Sequence, residues 1–533
     1  MFCQDRIIAL PLFFICLLCP AVFISSGQAE TSPPGDQSRY LPIGHPAYDY
    51  LDRLQERGRM LSLNRALRPY TRQQVLKAIE IEETSRLKGF EVEWLEMLRS
   101  ECLPGPETTS LNDSAAMTVV TRLEATGNYN SLRTDSERSS LGFGFGGRFG
   151  RQIVYDARFV RAPHLLRFAD STSHRDPDVQ APYEEGLIRP MEGYLKGDFG
   201  LFGGAFSSEI FFGRMARNWS PSLDHSLILG ADASSFDHLA ITLRSRHFVF
   251  THLVAALDGI NYRKAGASEY TRARRYFSAH RLDIRVRDNL RFGISETVVY
   301  GGENSGFDLA LSNPVTGFRL VGIQNKGDHA NNTLLTLDGL YIAGNRLTLF
   351  GQFLFDDILR SDKFQDRWAC DLGAGWRDLP GLERTTLNLR ATVVSSFAYN
   401  TFQPYERYLL YGRPLGAPYG NDYFKLESSL RIFLSSRLDL KVRLVKLDRG
   451  AQRVAAPIEN FTNSSDLPYP TPLVEKTTEA ALCLRWRPVS SVQINAEGGL
   501  LNRRNRNNRP APRTRRGYAE LTISFFRDIP LNF

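Results

Sequence analysis

From Arg515 to its end the chain reads RRGYAELTISFFRDIPLNF, residues 515–533. Ala519, Leu521, Ile523 and Phe525 fall on one side of an extended backbone, and Tyr518, Glu520, Thr522 and Ser524 on the other. Successive strand side chains point to opposite faces, so this is a strand with one apolar and one polar side. Arg527, Asp528 and Pro530 interrupt the alternation, and proline lacks the N–H that a ladder uses. The spacing therefore predicts a last strand ending near Phe526 and a short tail over 527–533.

An amphipathic closing strand followed by a terminal Phe533 is similar to the C-terminal signal of bacterial outer-membrane β-barrels. Period-two patterning extends upstream as far as Ser114, in eighteen segments. The even number is what a single-chain bacterial barrel requires. The links between segments alternate in length. After even-numbered segments they are short: Phe149-Gly150, Gly200, His247, Asp288-Asn289, Gly344, Asp378–Glu383, Ser436 and Pro488–Ser490. After odd-numbered segments they are mostly long, as at Pro163–Leu187, Gly301–Asn332 and Leu447–Glu475. Barrels of this kind have short periplasmic turns and long extracellular loops. The sequence thus predicts an all-β transmembrane architecture: an antiparallel outer-membrane β-barrel of about 18 strands over 111–533, preceded by a small helical bundle.

With 533 residues the chain is long enough for several soluble domains, but a barrel grows by strand number instead of core volume. Its one long apolar run follows Arg6 and ends in Ser25-Ser26-Gly27-Gln28-Ala29, which reads as a secretory signal peptide over 1–29. Beyond it nothing approaches the ~20 apolar residues that a membrane helix needs. Cys102, Cys370 and Cys483 are left, odd in number and without metal-ligand spacing. Cys370 and Cys483 fall on opposite strand faces, which argues against a disulfide between them. The net charge of +8 suits an anionic partner such as lipopolysaccharide or an acidic glycan.

Residues 30–110 predict a periplasmic helical segment. Pro46 with Tyr48, Leu51 and Leu54, the Thr71/Gln74 capping box before Val75 and Ile79, and Val92, Leu95 and Leu98 mark three helices. So small a bundle is marginal alone. It either docks on the barrel's periplasmic mouth or hangs below it as a separate module.

Apolar side chains should face lipid, which places Arg281, Asp283, Arg285, Arg287, Lys425, Glu427, Arg431, Asp439, Lys441 and Arg443 in the lumen. Two readings follow: a water-filled, anion-preferring channel, or a lumen crowded with ion pairs and in-folded loops.

In order along the chain stand LPIGHPAYDYLDRL, RPYTRQQ, RMARNWSPSLDHSLILG (214–230), LSNPVTGFR (311–319), LFGQFLFDDI (349–358) and YGRPLGAPYGNDYF (411–424). This series resembles the Wzi-type capsule-assembly family. The resemblance implies an eighteen-stranded outer-membrane barrel with a periplasmic bundle, acting as a lectin that anchors capsular polysaccharide at the cell surface. A related exopolysaccharide is an equal fit.

Glycans are held by aromatic faces and fixed polar groups in surface grooves. In the loops that chemistry selects Arg217 and Trp219; Tyr262 and Arg263; and Tyr405, Tyr408, Tyr411, Arg413, Asn421 and Asp422. The aromatics fit an interfacial belt as readily. Arg503, Arg504 and Arg506 lie in the cationic run NRRNRNNRPAPRTRR, suited to an acidic polysaccharide, to lipopolysaccharide phosphates or to solvent alone. No G-x-S-x-G elbow or H-E-x-x-H helix occurs, and the Asp-His neighbours lack the facing geometry of a catalytic pair. The expectation is a monomeric, non-enzymatic protein without cofactor or metal, whose partners are capsular or exopolysaccharide, lipopolysaccharide and outer-membrane lipid, and not nucleic acid. A porin-like diffusion channel for anions or small solutes is the alternative.

Overall fold

The structure is a computed structural model that describes residues 38–531 apart from 83–86, 104–118, 131–139, 150–152, 162–176, 181–188, 202–205, 231–234, 320, 322–330, 345, 358–365 and 459–467. The expected leader lies outside the described residues.

Eighteen long strands follow the helices. They are β1 Val119–Asn130, β2 Ser140–Phe149, β3 Ile153–Arg161, β4 Arg189–Leu201, β5 Phe206–Met215 and β6 Phe236–Arg244. Next come β7 Phe248–Ala256, β8 Tyr270–Arg287, β9 Leu290–Gly302, β10 Asn331–Ala343, β11 Leu347–Asp357 and β12 Arg367–Leu379. The last six are β13 Leu382–Val394, β14 Tyr423–Phe433, β15 Leu438–Arg449, β16 Glu475–Val489, β17 Val492–Arg504 and β18 Thr514–Leu531. Each pairs antiparallel with its sequence neighbours. β1 also pairs with β18, from Val119↔Leu531 to Asn130↔Glu520, so every strand has a partner on both sides. A sheet that returns to its first strand leaves no unpaired backbone edge.

The expected end of the last strand needs correction. β18 does not stop near Phe526: Arg527–Leu531 continue it against β1. Past Phe526 its only partner is β1, since β17 begins at Val492 opposite Phe525. That is the one-sided environment in which proline is tolerated. β13 ends at Val394. Tyr399 sits at φ +68, where the chain turns.

The two sheet faces differ as the alternation predicts. On consecutive strands Leu372, Leu389, Leu426, Leu444, Leu482 and Trp486 are 57, 49, 42, 53, 50 and 46% exposed. Asp371, Arg390, Lys425 and Arg431 alternate with them and are buried on the opposite face. Cys370 and Cys483 are free thiols, and Cys483 Sγ donates to Glu497 at 2.9 Å.

Among the described residues three helices precede the sheet: α1 Ala47–Glu56, α2 Arg72–Ile81 and α3 Gly89–Cys102. Thr71 caps α2 through the reciprocal box, with Gln74 N donating to Thr71 Oγ1 at 3.1 Å and Thr71 N to Gln74 Oε1 at 2.9 Å. Leu51, Leu54, Val75, Ile79, Phe90, Trp94 and Leu98 share one core, which takes in Phe433 of β14. The bundle docks at the end that carries the short links. Trp94 Nε1 donates to the Ser436 carbonyl at 2.8 Å and Arg53 Nη1 to the same oxygen at 3.1 Å. Arg57 pairs with Asp378 at 2.9 Å, and Glu101 with Arg487 at 2.6 Å.

Candidate functional site

The lumen is occupied from both ends. From the bundle side, Tyr40 packs on Tyr194 and Phe211, and its backbone N–H donates to the Tyr194 hydroxyl at 2.9 Å. Arg291 donates to the Ser62 carbonyl at 3.2 Å. From the other end the chain after β5 folds inward. Asn218 and Arg68 exchange backbone hydrogen bonds at 3.1 and 3.2 Å, so the segment after α1 and the loop after β5 meet inside the sheet.

The lumenal charges read from the sequence are largely used internally. Arg281 forks onto both Asp283 and Asp338 at 2.7–2.9 Å. Arg431 pairs with Glu56 of α1 at 3.0 Å and Arg443 with Glu479 and Glu497 at 2.9 and 2.6 Å. Lys425 holds Glu427 at 2.6 Å, and Asp439 holds Arg53 at 2.6 Å. Lys441 is half-buried and Arg287 exposed; Arg285 Nε binds Asp288 at 3.0 Å in the exposed turn after β8. Buried charges persist only when paired and hydrogen-bonded. The basic excess that suggested an anion path is therefore mostly matched by carboxylates that the strands and α1 supply.

At the opposite end a loop layer closes the sheet, and five of the thirteen candidate binding residues build it. Trp219 is 1% exposed, with its N–H on the Leu229 carbonyl at 2.8 Å and its carbonyl on Gln352 Nε2 at 3.0 Å. Arg217 lies over Phe211 at 4.8 Å and meets His238 Nε2 at 2.8 Å. Tyr408 is buried and donates to the Ile228 carbonyl at 2.7 Å. Asn421 donates to the Ser396 carbonyl at 2.6 Å. Asp422 accepts from Ser396 Oγ, Gln452 N and Thr471 N at 2.9–3.0 Å, tying three loop segments together at a left-handed φ of +59. These five side chains face inward onto protein and present no surface to a ligand. Composition drew attention to them, but burial assigns them to loop packing.

The others lie at the rim, where Tyr262 is itself buried, at 7% exposed, in a small core with Ile260 and Ala273. The short strand Ile260–Arg263 pairs with the start of β8 and with Val179–Gln180. This brings Tyr262 edge-on to Tyr405 at 5.4 Å between centroids. Arg263 binds Asp178 at 2.9 Å and lies over the Tyr270 ring at 5.6 Å. Arg275 of β8 anchors the strip beneath, donating to the carbonyls of Tyr405, Arg407 and Leu409 at 2.6–2.9 Å. Tyr411 and Arg413 flank a two-residue ladder between Leu409–Leu410 and Arg413–Pro414, both half-buried. Arg504 and Arg506 are exposed, and Arg503 pairs with Glu475 at 3.3 Å.

Sequence reasoning missed Asp178, Tyr270 and Glu406. The first two become partners only because the loop after β3 reaches the hairpin above β8. Glu406 is 4% exposed, with Oε1 buried and unpartnered. Burial pushes its carboxyl up to about 8, and burial likewise pushes the Tyr405 hydroxyl up to about 12. The rim strip thus offers the exposed Tyr270 ring, the half-buried Tyr405 ring and the Arg263–Asp178 pair, with Tyr262 and Glu406 buried beneath them: flat apolar faces beside fixed donors and acceptors, which suits a polyhydroxylated ligand.

An eighteen-stranded antiparallel sheet joined end to end, apolar outside and charged inside, with a helical cap at the short-turn end, defines an outer-membrane β-barrel. Residues 110–515 match the family described as capsule assembly protein Wzi. The chain belongs to that family, and it is a capsule-related outer-membrane protein. No curated protein matches it. Among solved structures it is similar to Wzi, an outer-membrane protein involved in group 1 capsule assembly in Escherichia coli and titled a carbohydrate-binding β-barrel. Identity is 13%, the alignment covers 93% of this chain and 100% of that one, and the TM-score is 0.60. It also matches OprD of Pseudomonas aeruginosa at 12% identity over 80% of this chain and 96% of that one, with a TM-score of 0.43.

Proposed function

We propose that this protein binds capsular or another surface polysaccharide on its extracellular rim, without catalysis, and so helps to hold the glycan at the cell. The observation that carries the reading is the rim strip of Tyr405, Arg263, Asp178 and Tyr270, seated on the buried Tyr262 and built on β8 above a lumen already filled. The Wzi relative's carbohydrate binding supports it. In this reading residues 1–29 are a cleaved signal, 30–110 a periplasmic cap and 111–533 a monomeric barrel. Arg503, Arg504 and Arg506 face polysaccharide or lipopolysaccharide phosphate at the outer edge. The Arg68–Asn218 junction stands against a porin-like channel.

The test is binding of host capsular polysaccharide and exopolysaccharide to the purified, detergent-solubilised protein. Tyr270→Ala with Arg263→Ala is expected to weaken binding at least about tenfold while leaving the thermal transition in place, since both side chains are exposed and interface truncations at aromatic and Arg anchors typically cost more than about 1 kcal/mol. Equal binding by wild type and variant, or none by either, overturns the proposal.

A further inference from the structure

The loop after β9 lies against the outside of the barrel wall. Along β8 the odd positions face inward: Phe277 packs with lumenal Tyr408 at 6.0 Å, and Arg281 pairs with Asp338. The even positions Tyr276, Ser278 and His280 therefore point outward, beside His252 of β7 and Glu296, Val298 and Tyr300 of β9 by register. Lower on the same face Val286, Phe292, Ile294 and Leu337 are 52, 50, 40 and 45% exposed, as a lipid belt demands.

A band ~25 Å tall, crossed by tilted strands, takes up about ten residues of each. Counted up from Val286, that length runs past His280 and Ser278. A polar cluster therefore sits where acyl chains should begin. Unsatisfied polar groups are costly in hydrocarbon.

Residues 303–319 cover this cluster. His252 Nε2 donates to the Ser312 carbonyl at 2.9 Å. His280 Nε2 meets Glu296 Oε2 at 3.0 Å, and the Glu296 carboxylate accepts the backbone N–H groups of Phe318 and Arg319 at 3.0 and 2.9 Å. Phe318 packs on the His280 ring at 4.4 Å, and Leu311 and Phe318 join Val298 and Tyr300 in a separate small core. The strap leaves three apolar side chains uncovered, Phe307, Leu309 and Val315 at 50, 80 and 68% exposed, with polar Glu303, Asn304, Asn313 and Arg319 exposed around them.

We infer that residues 303–319 form a strap seated on the outer wall, and that Phe307, Leu309 and Val315 enter the outer leaflet and continue the lipid-facing belt above Ile294 and Leu337. The occupant of this face is acyl chain, because Phe307, Leu309 and Val315 are as open as the belt on the same outer wall, while the strap's inner polar contacts are met by His252 and Glu296. The exposed Glu303, Asn304, Asn313 and Arg319 then lie at the headgroup level. The inference rests on the membrane placement and goes beyond glycan binding.

The test uses the wild-type protein in lipid bilayers containing a phospholipid with a photoactivatable diazirine on its acyl chain, with adducts mapped by mass spectrometry. Peptides holding Leu372 and Leu389 report on the membrane placement itself. Adducts on 303–319 within about threefold of those belt peptides are expected for a segment at the acyl boundary. Labelled belt peptides with an unlabelled strap overturn the inference and leave the membrane placement intact. Strap peptides crosslinked to a second copy of the chain overturn it too, by naming another occupant. Unlabelled belt peptides overturn both.

Discussion

Removing Trp94 should undock the bundle from the barrel. The ring is fully buried, edge-on to Phe433 of β14 at 4.8 Å and to Phe90 at 5.0 Å, and its Nε1–H reaches the Ser436 carbonyl at 2.8 Å. Truncating a buried aromatic to Ala costs about 3–5 kcal/mol. Ser436 keeps Arg53 as a donor, so the lost hydrogen bond adds at most about 1 kcal/mol. With about 1.4 kcal/mol per tenfold change in an equilibrium, Trp94→Ala should raise the undocked population by roughly a thousandfold. So small a bundle has little independent stability, so undocking exposes it. Hydrogen exchange of the bilayer-embedded protein reads this directly: amides of α1 and α3 should exchange together and faster, while β14 and β15 stay protected. Trp94→Phe keeps a six-membered aromatic ring but loses the indole N–H and part of the buried volume, and should cost about 1–3 kcal/mol, less than Trp94→Ala. In a double-mutant cycle, Trp94→Ala and Phe433→Ala should couple by about 0.5–1.5 kcal/mol, as an aromatic pair does. Unchanged exchange in α1 and α3 refutes the docking argument. Equal acceleration in β14 and β15 refutes the separation of bundle from barrel.

The Glu406 carboxyl is held above its ordinary value of 4.5, at about 8, so its folded state favours the protonated form. The stability it contributes is complete below pH 4.5 and lost as pH rises through about 8. Glu406→Gln should therefore match wild type near pH 5 and exceed it above pH 8 by roughly 1–3 kcal/mol after solvent screening, in denaturation curves read at both pH values; no divergence with pH refutes the reading. Arg281→Met leaves Asp283 and Asp338 without their cation and should destabilise by about 3–5 kcal/mol in urea unfolding of the reconstituted barrel. Asp422→Ala strips acceptors from Ser396, Gln452 and Thr471 and should make residues 450–458 and 468–474 susceptible to protease, with β14 intact. In planar bilayers wild-type protein should stay electrically silent; large steady openings would reinstate the channel.

Periodicity made the strands legible because a half-buried strand writes its two environments into alternate residues. Leu426 and Leu444 face out while Lys425 and Arg443 face in, in the sequence and in the structure alike. Link length carried the topology for a similar reason: turns at one end need only reverse the chain. The helices showed through local signals, Pro46 at the start of one and the Thr71–Gln74 box at another. β18 marks a limit of that logic, since Pro530 argues against a strand locally and β1, some four hundred residues earlier in the chain, accommodates it.

Side-chain environment in the loops followed no such period. Trp219, Tyr408, Asn421 and Asp422 have the composition of a sugar site, but each contacts residues distant in sequence, such as Gln352, Ile228 and Thr471. Tyr262 and Tyr405 meet only because Arg275 holds the second loop against the hairpin that carries the first. Whether a lumenal arginine faces water or a carboxylate depended likewise on α1 entering the barrel, as Arg431 and Glu56 show. What the sequence by itself determined is the part set by neighbours along the chain: eighteen strands, their faces, their turns and three helices. That the lumen is filled from both ends, which loop side chains are buried and which face the strap covers were decided by tertiary contacts, because burial is a property of what arrives from elsewhere in the fold.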